Sequence, residues 1–113
     1  MLNKLYVHPK CSTCKKAIEF LNQNEIPFEL IDILKNPPEK EEILFAGSKV
    51  DKISKILNTT GLAYKAIVDK PLFLQKSMEE IAKECRNNPM LIKRPFLVGK
   101  GFSLSGFKPK EWK

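Results

Sequence analysis

Two cysteines separated by two residues form the part of this sequence best suited to chemistry. Cys11 and Cys14 flank Ser12 and Thr13, and thiols at this spacing can close a disulfide with each other. They follow a short apolar run, Leu5-Tyr6-Val7, and open a stretch with helical periodicity. A strand would then deliver Cys11 to the N-terminus of a helix, where free N–H groups and the dipole favour a thiolate. The pattern predicts a redox-active dithiol.

The predicted helix, over 15–24, places the two thiols differently. Cys14 begins an apolar stripe at i, i+3, i+4 and i+7, whereas Cys11 lies in the loop before it. We therefore expect an exposed attacking thiol at Cys11 and a sheltered resolving thiol at Cys14. The rest of the stripe is Ala17, Ile18 and Leu21. Positive charge that favours a thiolate at Cys11 comes from Lys10, Lys15 and Lys16.

A zinc site is the main alternative interpretation of the cysteine pair. A structural zinc ion takes four ligands, and His8 and Cys85 are the remaining plausible donors. Cys85 lies on the apolar face of a different predicted helix, so it is better explained as a small buried side chain. We therefore predict no metal. His8 could act as a base towards Cys11 or could simply occupy the turn after the first strand.

Other catalytic motifs are missing from the sequence. A phosphatase-type loop needs an arginine six residues after its cysteine, and Ala17 stands there. The glycine-rich motifs that bind dinucleotides or nucleotide phosphates do not occur. We therefore expect no cofactor.

Composition and charge indicate a globular protein rather than a nucleic-acid-binding or membrane protein. The 113 residues carry a formal charge of +7, but 18 of the 20 basic residues are lysines spread along the chain. Arginine, which base and phosphate recognition favours, occurs only at Arg86 and Arg94. A lysine-rich surface with some attraction to acidic proteins explains the charge better than direct nucleic-acid binding. The absence of a signal-peptide or membrane-spanning pattern predicts a cytoplasmic location without membrane contact.

The chain begins with a β-α-β pattern. Strands predicted over 2–7 and 27–34 flank the first helix, so they should be parallel. A helix should then open at Pro37-Pro38 with Glu39 in its first turn and end at Gly47. A short helix is expected over 50–57.

The second half of the chain should hold one more helix and a hairpin. Ser77 and Glu80 form a capping-box pattern for that helix, which should end at Asn87-Asn88-Pro89. Strands over 95–98 and 102–104, joined by Gly99-Lys100-Gly101, read as a hairpin. A short basic segment over 108–113 should form the closing helix.

Together these motifs resemble the ArsC/Spx family of arsenate reductase-like proteins, over nearly the whole chain. The resemblance implies a thioredoxin-like α/β fold in one domain, 1–113, ordered β-α-β, helical insertion over about 37–88, then β-β-α, with a mixed four-stranded sheet. The segments that carry it are Tyr6–Lys16, Ile31–Ile33 with Pro37-Pro38, Leu57–Tyr64, Asn88–Pro95 and Gly106–Lys108.

The resemblance also implies roles for site residues. Cys11, Cys14 and Arg94 would be catalytic, with Cys11 and Cys14 forming the redox-active disulfide. In thioredoxin-like folds a cis-proline precedes the third strand and faces the thiol, which places Arg94-Pro95 at the site. The substrate edge would comprise Ser12, Thr13 and Pro95.

Two behaviours are known in this family. True arsenate reductases use one cysteine, glutathione and glutaredoxin, and bind the oxyanion with three arginines. Arg94 matches one of these, but Asn58 and Gly106-Phe107 stand at the other two positions. Spx-type regulators use a CxxC switch, bind the C-terminal domain of the RNA polymerase α subunit, and carry a tail that we do not expect beyond Lys113.

We therefore expect a cytoplasmic thiol–disulfide redox protein, an oxidoreductase that depends on thiols. Its reductant would be glutathione with glutaredoxin, or thioredoxin. The alternatives are a redox-sensing regulator that binds RNA polymerase and a glutathione-dependent arsenate reductase.

Overall fold

The computed structural model describes residues 3–112, and these build a mixed sheet with helices on both faces. The strands are β1 (Asn3–Val7), β2 (Phe28–Asp32), β3 (Phe96–Gly99) and β4 (Phe102–Ser105). The helices are α1 (Ser12–Gln23), α2 (Lys40–Ser48), α3 (Leu62–Lys65), α4 (Lys70–Leu74) and α5 (Met78–Asn87). Two 3₁₀ turns cover Ile53–Ile56 and Pro89–Leu91.

The sheet order is β2-β1-β3-β4. β1 pairs parallel to β2 and antiparallel to β3, and β3 pairs antiparallel to β4. The predicted parallel β1–β2 pair, the hairpin and the mixed four-stranded sheet are thus confirmed. The hairpin turn is shorter than expected, because Gly99 belongs to β3 and only Lys100-Gly101 connects the strands.

Alternation along the strands divides the core into two layers. Tyr6 and Phe96 face the layer built by α2 to α5, which we call the helical layer. Cys85 is buried in it. Leu5 and Leu97 face the opposite way, with Cys14 in the layer formed by α1. Strands with both faces covered need apolar side chains on both sides. This explains the near-continuous apolar runs at Leu5-Tyr6-Val7 and at Phe96-Leu97-Val98.

The start and end of α2 differ from the prediction. The helix begins at Lys40, because Glu39 keeps extended backbone as its N-cap and its N–H donates to Glu42 Oε1 over 2.9 Å. It passes through Gly47 to Ser48. A Cβ on Gly47 would lie 2.5 Å from Met78 Sδ. Gly47 therefore lets α2 and α5 approach closely and does not end the helix.

The predicted closing helix is wrong for the part of 108–113 that the structure describes. Residues 108–112 form turns, in which Glu111 N–H donates to Lys108 O and Trp112 N–H to Pro109 O. Trp112 is buried at the end of this segment, and its indole N–H donates to Gly106 O, which holds the segment as turns. Leu2 of the first predicted strand and Lys113 of the last segment lie outside the described residues.

The helical layer contains two short helices that the sequence did not predict and one helix start that it did. α3 and α4 were not predicted, and they contain only four and five residues. The Ser77–Glu80 capping box at the start of α5 is confirmed. Within residues 3–112, no helix has the length and apolar character needed to cross a bilayer.

Candidate redox-active site

Three chain segments meet where β1 ends. Tyr6 pairs with Phe96, and Phe96 pairs with Ser105. The residues just beyond these pairs therefore lie side by side, and the N–H of Gly106 donates to Pro95 O over 2.9 Å. The loop that follows Val7 leads from the same edge into α1. The register thus brings the CxxC loop and the Arg94-Pro95 segment to one edge of the sheet.

Cys11 is the N-cap residue of α1. Its backbone is extended, with φ −91° and ψ 111°, and its N–H donates to His8 O over 3.1 Å. Its Sγ accepts the N–H of Cys14 over 3.2 Å. The Cys11 sulfur is therefore hydrogen-bonded at the N-terminus of α1, the positive end of the helix dipole. Cys11 is partly exposed, as predicted for an attacking thiol.

Cys14 lies one turn into α1 and is only 1% exposed. It packs beside Ala17 and Leu21, which confirms the predicted helix face. Burial, and then the hydrogen bond with Cys11, raise the pKa of the Cys14 thiol to about 12, while the backbone of His8 and the charge of Arg94 oppose this. Cys14 is therefore a protonated thiol at neutral pH. Cys11, Cys14 and Cys85 are all free thiols.

Arg94 approaches the thiols from the β3 side. The Arg94–Pro95 peptide bond is cis, a point that the sequence left open. Arg94 Nη1 donates to Met90 O over 3.3 Å and to Ile92 O over 3.1 Å. Its Nε is buried and has no hydrogen-bond partner within residues 3–112. The guanidinium is therefore held by one nitrogen and keeps donor capacity at another.

The remaining predicted site residues differ in exposure. Ser12 and Thr13 are exposed on the first turn of α1, whereas Pro95 is fully buried. The predicted substrate edge therefore includes one residue that solvent does not reach here. His8 accepts the N–H of Lys10 at Nδ1 over 3.1 Å, so this ring nitrogen serves its own loop.

Cys85 lies apart from the CxxC pair. It is completely buried in the helical layer, where burial raises its thiol pKa to about 12. This confirms its prediction as a small core residue. Among residues 3–112, no group of three His, Cys, Asp or Glu side chains is placed to hold a metal ion.

Sequence reasoning missed the support behind the site. Trp112 is buried, and its indole N–H donates to Gly106 O over 3.2 Å. Gly106 is in turn bonded to Pro95. Phe20 and Phe107 pack edge-on against the Trp112 ring at 6.5 and 5.1 Å between centroids. A lone tryptophan in a lysine-rich terminal segment was the available signal for this buried anchor.

Comparison with known proteins identifies the family. A sequence model of the ArsC family matches residues 6–113. The chain belongs to the ArsC family. A crystal structure described as a possible arsenate reductase from Streptococcus mutans is 35% identical and superposes with a TM-score of 0.85, covering 95% of this chain and 92% of that one. This likeness confirms the thioredoxin-like fold of this ArsC family chain.

Two curated relatives of this ArsC family chain differ in what is known of them. Uncharacterized protein YusI of Bacillus subtilis is 33% identical over 109 residues, which are 95% of this chain and 92% of YusI. The global transcriptional regulator Spx of Streptococcus agalactiae is 30% identical over 109 residues, 95% of this chain and 77% of Spx. The relatives of this ArsC family chain thus include a possible arsenate reductase, an uncharacterized protein and a transcriptional regulator.

Proposed function

We propose that this chain is a thiol–disulfide redox protein in which Cys11 is the nucleophile and Cys14 the resolving thiol. The observation that carries the proposal is the pairing of the two residues. Cys14 donates its N–H to Cys11 Sγ, yet its own thiol is buried behind a partly exposed Cys11. One thiol is thus offered to a substrate while the second is kept within reach.

The reaction proceeds in two exchanges. The Cys11 thiolate attacks one sulfur of a substrate disulfide or thiol adduct, and the other sulfur leaves with the electron pair as a thiolate. Cys14 then loses its proton and attacks Cys11 Sγ, which expels the substrate sulfur as a second thiolate. The substrate gains two electrons, and the protein is left with a Cys11–Cys14 disulfide. An external thiol system of the glutathione–glutaredoxin or thioredoxin kind returns those electrons.

The raised pKa of Cys14 supports this order of events. While Cys11 is a thiolate, burial and the contact with Cys11 keep Cys14 protonated. A mixed disulfide removes the negative charge of Cys11, and the positive charge of Arg94 remains. Cys14 therefore ionises more readily once its target has formed.

Arg94 is proposed to stabilise negative charge at the reacting sulfurs. The two carbonyl contacts of Nη1 fix the guanidinium, and its buried Nε has no hydrogen-bond partner in the described part of the chain. A buried N–H without an acceptor is costly and is relieved when an anion arrives. Ser12 and Thr13, which are exposed beside Cys11, are proposed to contact the substrate.

A redox titration tests the proposal. The protein is equilibrated in graded glutathione or dithiothreitol buffers, free thiols are trapped, and the products are read by mass spectrometry. We expect a reversible two-electron couple between Cys11 and Cys14, unchanged in the Cys85→Ala control. We also expect Cys14→Ser to accumulate a mixed disulfide on Cys11. Two thiols that never pair, or full turnover by Cys14→Ser, would overturn the assignment.

A second candidate is a redox-sensing regulator that binds the C-terminal domain of the RNA polymerase α subunit. The observation that favours it is the 30% identity to Spx across 95% of this chain. Pull-down of the purified α domain by the reduced and the oxidised protein tests it. Capture in one redox state only supports a regulatory role, and no capture in either state ends it.

A further inference from the structure

A surface pocket follows the outer edge of β4. The sheet order places β4 at one edge, where β3 is its only partner strand within residues 3–112. The pocket has a volume of about 530 Å³, and Ser103, Leu104, Ser105 and Gly106 form one wall. Neither Cys11 nor Cys14 lines it. We call it the lysine pocket, for the four lysines described below.

The lysine pocket spans both layers of the molecule. Val50, which packs against the helical layer, lines it from one side of the sheet. Trp112, which belongs to the α1 layer, lines it from the other. The pocket therefore wraps around the edge of the sheet, so that the unpaired edge of β4 lies between its two sides.

The charges around this edge are unequal. Asp51 is paired with Lys55 at 2.8 Å, and Glu111 with Lys108 at 3.8 Å. The other two cations have no carboxylate within 4.0 Å among residues 3–112. They are Lys49 and Lys93, and both line the pocket. The pocket thus holds two positive charges more than negative ones.

Both uncompensated lysines are positioned by contacts. The Lys49 ammonium lies 5.1 Å from the centroid of the Phe45 ring, at cation–π distance. Lys93 is partly buried, and its chain crosses Gly106 so closely that a Cβ there would lie 2.8 Å from Lys93 Cε. These contacts reduce the side-chain freedom that each lysine would lose on pairing with an anion.

We propose that the lysine pocket binds an extended acidic segment of a partner protein, which adds a strand to β4. An unpaired strand edge offers backbone donors and acceptors to such a segment. Carboxylates of the segment would pair with Lys49 and Lys93. An extended chain fits this site better than a nucleic acid, because strand-edge groups match a peptide backbone and the pocket contains no arginine.

At Gly106 the pocket reaches the end of the sheet where Pro95 and the CxxC loop also lie. The bound strand would run beside Gly106, which is bonded to Pro95. If the proposed redox function holds, the acidic partner is the substrate or reductant of Cys11, and the sheet order leaves β4 and β3 between the bound strand and β1. The binding itself does not depend on the thiols.

Fluorescence anisotropy with a model peptide tests the proposal. The probe is a labelled nine-residue peptide of alternating Glu and Val with blocked ends, titrated with full-length protein at about 0.15 M salt, where distant charges are screened. We expect the double variant Lys49→Glu/Lys93→Glu to bind about tenfold more weakly. The control Lys35→Glu/Lys83→Glu, which changes net charge equally at exposed lysines outside the pocket, should bind within about twofold of the wild type.

A second peptide separates strand pairing from plain charge attraction. This peptide has the same sequence, but the backbone nitrogens that would donate hydrogen bonds to β4 are methylated. We expect this peptide to lose binding, and the unmethylated one to slow amide hydrogen exchange over 102–105. Equal binding by both peptides, or equal weakening in the control variant, would overturn the proposal. The Cys11→Ser protein should bind normally, so failure here and failure of the redox function are distinguishable.

Discussion

Cys11 and Cys14 are three positions apart in sequence, but their side chains differ strongly in solvent exposure. Cys14 keeps 1% of its exposure, whereas Cys11 reaches solvent from the N-cap position. Helical periodicity predicted this difference, because Cys14 belongs to the apolar stripe of α1. The hydrogen bond from Cys14 N–H to Cys11 Sγ follows from the same helical start. The residue at which α1 begins thus determines both the exposure of the two thiols and the hydrogen bond between the two residues.

Arg94→Gln tests the charge assigned to the site. The substitution keeps a planar polar end but removes the positive charge. We expect disulfide exchange at Cys11 to slow about tenfold, because negative charge on the reacting sulfurs loses a nearby positive charge. The control is Arg86→Gln, since Arg86 is the other arginine and is exposed at the end of α5. Stopped-flow rates between pH 6 and 9 measure both variants, and equal slowing would argue against a local role for Arg94.

Cys85 gives a test of burial through pH. Its pKa is raised to about 12 in the folded protein, so the folded state binds the thiol proton more tightly than the unfolded state. This stabilisation is complete below the unfolded pKa of about 8.5 and is lost as pH rises towards 12. Urea unfolding under reducing conditions at pH 7.5, 9 and 10.5 should show falling stability. The loss should be smaller in Cys85→Ala; an identical slope would contradict it.

Among the elements, those with local signals were predictable and those set by packing were not. The capping box of α5 and the apolar run of β1 each depend on residues that are close together in the sequence, and both are confirmed. Gly47 looked like a helix end because glycine usually marks one. Its role depends on Met78, 31 positions away, which no local pattern shows. The last segment was misassigned because a buried tryptophan holds it as turns.

Ser77→Ala tests the cap of α5. Its hydroxyl accepts the N–H of Glu80 over 3.2 Å. Without that acceptor, the free energy of unfolding should fall by about 1 kcal/mol. The matched control is Ser48→Ala at the exposed end of α2, where water can replace the bond from its hydroxyl to Phe45 O; it should change stability by less than about 0.5 kcal/mol. Urea midpoints compare the two, and an equal effect would show that the cap adds nothing.

At the scale of the whole molecule, long-range contacts join the end of the chain to the site. Gly106 has φ +77°, is bonded to Pro95 and Trp112, and lies under Lys93. The family resemblance placed this residue near the site, but only the sheet register shows how. Residues separated by more than ten positions meet here through β3–β4 pairing. Such meetings are the part of the site that local sequence patterns cannot supply.

Gly106→Ala tests this junction. A residue with a Cβ at positive φ costs about 1 to 2 kcal/mol, and here it would also displace Lys93. The control is Gly101→Ala, where φ is +79° but no atom of residues 3–112 lies within 4 Å of an added Cβ. We expect Gly106→Ala to be the more destabilising in thermal unfolding. The excess should disappear in a Lys93→Ala background, and its persistence there would place the strain elsewhere.

The division of the core into two layers limits which disulfides the three cysteines can form with one another. Three cysteines allow three intramolecular pairings, and two of them would join Cys85 to a residue of the CxxC pair. The sheet lies between these thiols, because Cys85 belongs to the helical layer and Cys14 to the α1 layer. A mispaired bridge would therefore require the fold to open. Of the three intramolecular bridges, Cys11–Cys14 is the one that the sheet does not obstruct.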